Sequence, residues 1–239
     1  MADATLSIPW WRLAFILPPM VVLVVILFRW TDQGRTLLHA AARMVGQLIL
    51  IGYVLVWIFQ AEHWGWVTLA LTIMMAAAGW ISLRPLPQRT AALYLRSLGC
   101  IALCGGGTLA LAVWGVLQPA NPLDPRIIIP LAGMIFASGM NQTSLSAERY
   151  LSEKNRGSSH VEARATALRA SLIPILNSFF AVGLVQLPGM MTGQILAGTD
   201  PLIAVRYQIL VMLMLLGSGG LSAAMFIEFL KSGDDNREK

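Results

Sequence analysis

Charged residues are scarce in this chain. Of its 239 residues only 12% are Asp, Glu, Lys or Arg, about half of the roughly 25% carried by soluble domains. With 56% hydrophobic residues and a mean hydropathy of +0.67, that shortage excludes an ordinary soluble domain and places the chain in a membrane. Cysteine is almost missing too. Cys100 and Cys104, one helical turn apart in an apolar run, cannot form a secreted-type disulfide framework, and they read either as small packing residues or as a soft-metal pair. A Gly-rich loop ending in Gly-Lys-Ser or Gly-Lys-Thr is absent, which leaves the chain without the usual means of holding nucleotide phosphates. The apolar runs also lack a cluster of His, Asp or Glu. His39, His63 and His160 sit at or beyond run edges and Glu228 near the end of the last run, so a tight all-protein metal site is not expected. Fixed-period repeats and low-complexity tracts are missing, and the connections at 60–63 and 118–125 are too short for an external domain.

What the chain has in quantity is long apolar runs. A bilayer core takes about 20 mostly apolar residues per helix, and runs of that kind cover 10–28, 45–60, 64–83, 98–117, 127–147, 172–196 and 203–230. The expected fold is therefore all-α, a polytopic integral membrane protein of about seven transmembrane helices forming one domain over 1–239. Asp3 before the first run, with no basic leader, points to a retained span rather than a cleaved signal. Trp10, Trp11, Trp30, Trp57, Trp64 and Trp66 lie near run ends, where aromatic belts form. Basic residues mark the cytoplasmic side of short loops. With the N-terminus outside, only Arg12, Arg126 and Arg206 of the 17 Lys and Arg fall outside, which gives an N-out, C-in topology and a cytoplasmic tail at 231–239. The net charge of +5 is spread over inner loops, which suits anionic membrane lipid and argues against nucleic acid. The expected location is the inner (plasma) membrane.

One polar stretch is long enough to work outside the bilayer. Residues 147–170 form a cytoplasmic helical elbow: a charged helical run from Glu148 to Arg156, a break at Gly157 and Ser158, then a capping box of Ser159 and Glu162 opening a second helix. That helix runs on into the sixth span, where Pro174 stands to kink it. An elbow fixed to a span can carry motion between a soluble partner and the membrane part; it can equally be a solvated hairpin. The 84–89 loop, with Pro85 and Pro87, reads as an extended connector.

The stretch 182–201 interrupts a membrane-depth run with Pro188, several glycines and uncharged polar groups. Irregular backbone at that depth is tolerated only where it is packed in protein or lines a hydrated cavity. The candidate translocation pathway accordingly comprises Pro188, Gly189, Met190, Met191, Gly193 and Gln194, with the in-span amides Gln47, Asn141, Gln142, Asn177 and Gln208. Pro188 and Gly189 are expected to supply backbone shape. Each amide can line a path or hold helices together. Asp200 and Arg206 join the set as charges near membrane depth, although Asp200 also suits a helix cap and can pair with Arg206. Arg43 can snorkel to headgroups.

Leu172-Ile173-Pro174, Val182 to Gly193 with its Leu187-Pro188-Gly189-Met190-Met191 core, Ala197 to Pro201, Arg206 to Ile209, Arg43 to Leu55 and Ile129 to Ile135 together resemble the FetB-like family of ABC transporter permeases, which includes bacterial iron-export permeases and plant aluminium-tolerance proteins. The resemblance is collinear over about 43–221. It implies a permease subunit, paired as a homodimer, that exports iron or a related metal or small solute. It binds no cofactor itself and relies on a separate ATP-binding subunit for ATP hydrolysis. It also implies that the elbow couples the two, with Glu148 at the position of the family's coupling glutamate and Arg149, Glu153, Arg156 and Glu162 around it. Here Ser152-Glu153-Lys154-Asn155-Arg156 stands where the family carries a Leu-Gly-Ala-type segment. A transporter or channel acting alone, or a membrane scaffold that moves nothing, are the other readings open at this point.

Overall fold

The computed structural model describes residues 8–60 and 64–234, with side chains through Leu230. The end of the expected tail, 235–239, lies outside the described residues, and 231–234 continue the last helix. Contacts divide the chain into two compact units, Met1–Glu62 and His63–Lys239.

In the first unit a 3-10 turn, Trp10–Ile16, leads into α1 (Leu17–Trp30). Pro18 and Pro19 sit in its first turn, where a missing N–H costs nothing. Thr31 closes the helix by donating its hydroxyl to the Leu27 carbonyl (3.1 Å). The chain then enters α2 (Gly34–Gln60), which starts well before the expected span at Val45 and takes Arg35 and Arg43 into its opening turns.

The second unit holds α3 (Trp64–Ser82), α4 (Ala91–Cys100), α5 (Gly106–Ala110), α6 (Pro125–Asn155), α7 (His160–Ala181), α8 (Gly189–Leu196) and α9 (Pro201–Asp234). One π-helical stretch, Ile101–Gly105, joins α4 to α5 and a second, Leu111–Leu117, extends α5, making one helical rod over Ala91–Leu117. No β-strand occurs among the described residues. Small residues let these helices close on one another. A Cβ at Gly79 would stand 3.2 Å from the Leu98 Cα, and one at Gly105 3.2 Å from Ile135 and 3.3 Å from Phe136. Ser82 and Ser97 share a buried 2.6 Å hydrogen bond between α3 and α4.

Five described helices are long and apolar enough to cross a bilayer: Trp10–Trp30, Gly34–Gln60, Trp64–Ser82, Ala91–Leu117 and Pro201–Leu230. α6 and α7 are not among them, because their 31 and 22 residues mix apolar with polar groups. The expected fifth span and the charged run that follows it are one continuous helix, α6. The expected sixth span is not continuous: α7 stops at Ala181, residues 182–188 turn without helix, and α8 resumes at Gly189. Hydropathy extends through that break because Val182, Leu184, Val185 and Leu187 are apolar, whereas the backbone turns on Gly183, whose φ of +81° is open to glycine and costly for other residues.

Candidate functional site

The elbow has the shape its capping signals predict. α6 ends at Asn155, Gly157 adopts φ +87°, and the N–H of Ser158 closes on the Glu153 carbonyl (3.2 Å). The Ser159 hydroxyl then accepts the Glu162 N–H (3.3 Å) while the Glu162 carboxylate accepts from the Ser159 N–H (3.1 Å) and hydroxyl (2.8 Å). The bond from the Ser159 hydroxyl, and after it the one from the backbone N–H, hold the Glu162 carboxyl below its ordinary range. A depressed carboxyl stabilises the fold above the unfolded-state pKa and ceases to do so as pH falls through the folded one. Amide exchange across 159–163, corrected for intrinsic rates, is therefore expected to accelerate on acidification below the ordinary glutamate range, and Glu162→Gln should remove that pH dependence.

The hairpin is tied to the end of α9. Arg164 donates to Glu228 (3.0 Å), the His160 Nε2 stands 3.4 Å from the same carboxylate, and Tyr150 bonds the His160 Nδ1 (3.0 Å). Arg96 of α4 donates to the Phe229 carbonyl (2.9 Å). Beneath this polar layer Leu83, Leu86, Ala147, Tyr150, Ala163, Ala167, Phe226 and Leu230 form one buried cluster, so the diproline loop, the hairpin and the end of α9 share one end of the unit. Leu86 is buried there between Pro85 and Pro87.

Of the five residues proposed for coupling, three satisfy one another locally and a fourth is engaged by Ser159. Arg149 (2.7 Å) and Arg156 (3.7 Å) both pair with Glu153, and Glu162 serves the cap. Glu148 is exposed, and it lines a cleft of about 800 Å³ together with Pro87, Gln88, Arg96, Ser152 and Lys154. The sequence had not brought His160, Tyr150 and Glu228 together. Their separation along the chain hides the contact.

At the other end the break between α7 and α8 is a tight turn. The Ala181 carbonyl accepts from the N–H groups of Leu184, Val185 and Gln186 (3.2, 2.8 and 3.2 Å), and the Gly183 N–H reaches the Gln186 carbonyl (3.0 Å). Pro188 caps α8, its carbonyl accepting from the Thr192 hydroxyl (3.1 Å). Pro188, Met191 and Gln208 line an apolar cavity of about 350 Å³ with Phe179 and Leu187. Gln208 is buried, and its Oε1 has no hydrogen-bond partner. Gln194, in α8, has a similarly unpartnered Oε1. Met190 and Gly193 also lie in α8. Gly189 opens that helix with free space around it, so the backbone freedom assigned to it belongs instead to Gly183 and to Gly198 (φ +91°). Asp200 accepts the Leu202 N–H (2.7 Å) at the start of α9 and makes no ion pair with Arg206 among the described residues.

A second cavity, of about 310 Å³, lies between α6, α7 and α9. Asn141 and Gln142 line it beside Ser138, Ser171 and Ser178. Asn177 is on an exposed face and does not take part, and Gln47, in the first unit, is exposed as well. Of the candidate set, Pro188, Met191 and Gln208 thus line one cavity and Asn141 and Gln142 the other, and the rest line neither. No group of three or more His, Cys, Asp or Glu that could hold a metal ion occurs among the described residues.

The model of the uncharacterised protein family UPF0014 matches residues 10–166 and 161–232. The chain belongs to the UPF0014 family. The UPF0014 membrane protein slr1647 of Synechocystis sp. is 34% identical over 243 aligned positions, covering 93% of this chain and 92% of that protein. Escherichia coli contributes the protein named "Probable iron export permease protein FetB", 33% identical and covering 85% of this chain and 84% of its own length. "Protein ALUMINUM SENSITIVE 3" of Arabidopsis thaliana is 32% identical over 85% of this chain and 80% of its own. No solved structure matches. These relatives bear out the family resemblance read from the membrane blocks, and with it a multi-pass α-helical membrane protein; the name of the E. coli relative is that of a permease.

Proposed function

We propose that this UPF0014 chain is the permease subunit of an ATP-driven transporter that exports iron or a related metal, working as a homodimer with a separate ATP-binding subunit in the inner (plasma) membrane. The observation that carries the reading is the hairpin at the polar end. It is capped at its turn, tied to α9 through Glu228, and flanked by a cleft whose exposed acid, Glu148, has no ion-pair partner among the described residues. A solvated connection has no use for so rigid a join, whereas a subunit that must turn a partner's motion into helix movement does. The E. coli relative's name supplies the cargo, and an acidic side chain on a half-polar cleft gives a basic partner surface something to hold.

In this reading the basic residues at the polar end, among them Arg84, Arg89, Lys154 and Arg164, face the cytoplasm by the positive-inside rule. α6 and α7 cross the bilayer with the rest, since α6 is about 46 Å long at 1.5 Å per residue and turns Gln142, Thr143 and Ser146 inward, away from lipid. Seven crossings follow, with the N-terminus outside.

The test is a mild-detergent pull-down of the full chain from native membranes, followed by mass spectrometry and an ATPase assay with and without ferrous iron. Recovery of an ATP-binding subunit with metal-stimulated turnover is the expected result. Glu148→Lys should cut recovery of that subunit by about tenfold, the scale of a charge reversal across an interface, while leaving insertion intact. A well-folded chain that comes down alone would overturn the reading and favour a transporter or scaffold that works by itself.

A further inference from the structure

The turn between α7 and α8 is apolar and open. Leu184 is 88% exposed, Val185 85% and Leu187 60%, and residues 170–199 carry no charge, so the turn belongs in hydrocarbon and not in water. Its depth follows from α9. Gly183, Leu187 and Pro188 share a cavity with Gln208, Ile209 and Leu213, and these α9 residues stand 15–20 positions from Glu228, about 22–30 Å at 1.5 Å per residue. Measured from Glu228 at the polar end, that is the outer third of a core about 30 Å thick.

Backbone groups at that depth need partners, because lipid offers none. Several in the turn lack them. Pro188 gives α8 no side-chain cap, which leaves the first N–H groups of that helix unpaired, and the Gly183, Leu184 and Val185 carbonyls accept no hydrogen bond from the backbone among the described residues. A water-filled cavity is one setting that tolerates such groups, and the bare Leu and Val side chains on this side exclude it. The remaining cover is protein that carries both donors and acceptors, as the same turn in a second copy does.

α9 presents a matching face on the same side. Leu202, Arg206, Ile209 and Leu213 follow one another at spacings of four, three and four, the pattern of a seam between helices, and all four are exposed. Ile209 and Leu213 line the cavity together with Gly183 and Leu187, so the stripe and the turn look the same way. Asp200 is exposed at the start of the helix, where it accepts the Leu202 N–H (2.7 Å). It forms no ion pair with Arg206 among the described residues. The side therefore offers one base and one acid among apolar groups, and two copies about a two-fold axis match them crosswise, as a surface that meets itself must.

We infer that a second copy of the chain packs on this side, with the 183–187 turns and the Leu202 to Leu213 faces of α9 meeting and Arg206 of each copy against Asp200 of the other. The inference rests on the homodimer reading above and adds where the seam lies. It also completes the Gln208 cavity, whose exposed edge is formed by Gly183, Leu187, Ile209 and Leu213: the second copy closes that edge.

The test counts copies of the full, fluorescently labelled chain by photobleaching steps in liposomes of falling protein density, which yields a dimer dissociation constant. Expected are a dimer for the wild type and a constant about a hundredfold higher in Arg206→Asp and in Asp200→Arg, as like charges facing each other across an interface predict. The double reversal restores opposite charges and should return to within about tenfold of the wild type, a recovery that an unfolded chain cannot show. Val185→Lys, which sets two like charges against each other and leaves the α9 cap alone, should dissociate the dimer too. A wild type that stays monomeric at every density overturns the seam and the homodimer reading together. A dimer that the single reversals and Val185→Lys leave intact overturns the seam alone, with lipid over the turn and the copies meeting elsewhere. Single reversals that dissociate without recovery in the double overturn the pairing of Arg206 with Asp200.

Discussion

Phe226→Ala is expected to cost about 3–5 kcal/mol, the range for emptying a buried aromatic site. Phe226 is fully buried in the cluster that joins the diproline loop, the hairpin and α9, whose members include Ala147, Ala163 and Ala167 beside Leu83, Tyr150 and Ile227. Phe229, three residues on and 37% exposed, is the control, and its alanine variant should lose little. Denaturant titration of the purified chain in mixed micelles measures both. Because the cluster lies under the Glu228 contacts, Phe226→Ala should also weaken recovery of an ATP-binding subunit. Equal losses in the two variants would mean that the cluster does not hold this end together.

The second large effect is expected at Gly183. Its φ of +81° is where a β-branched residue is most strained, and Gly183→Val should impose about 1–3 kcal/mol on a turn whose geometry the Ala181 carbonyl and Gln186 define. Nothing lies within 4 Å of the added Cβ, so the effect is one of backbone conformation and not of collision. If the turn shapes the route past Pro188 and Gln208, metal efflux should fall sharply while membrane insertion and the monodisperse yield remain near wild type. Gly189→Ala, at the start of α8 with open space, should transport normally. Unimpaired efflux in Gly183→Val would remove the turn from the pathway.

These two positions show what could be read from the chain. Local signals carried far: Gly157, Ser159 and Glu162 announced the hairpin and its cap, and Asp200 announced the start of α9, because each interaction is completed within a few residues. The break in the sixth run was signalled by its glycines and by Pro188 but placed within a continuous span, since hydropathy records side chains and the interruption is made by one backbone angle. Contacts between distant segments were not legible. Nothing near Gln142 tells that Gly219 leaves room for its amide, and nothing near His160 tells that Glu228 will meet it. Glu148 emerged as the free acid of the elbow only once Glu153 and Glu162 were seen to be engaged.

The two π-helical stretches flanking α5 have a consequence for how this part of the chain tolerates change. Each is equivalent to one residue inserted into an α-helix, and one residue rotates everything beyond it by about 100° about the axis. The face that α4 turns to its neighbours, where Ser97 meets Ser82 and the Cys100 carbonyl accepts from Ser222 (3.4 Å), therefore does not continue along the rod at the usual spacing. Deleting a single residue within 101–105 would relax that stretch to a plain α-helix, ordinarily the more favourable form. In doing so it would swing Ser97 and Cys100 away from their partners. In this segment length itself is the aiming device: α4 is in register with α3 and α9 because the 101–105 stretch is one residue too long for an ideal helix.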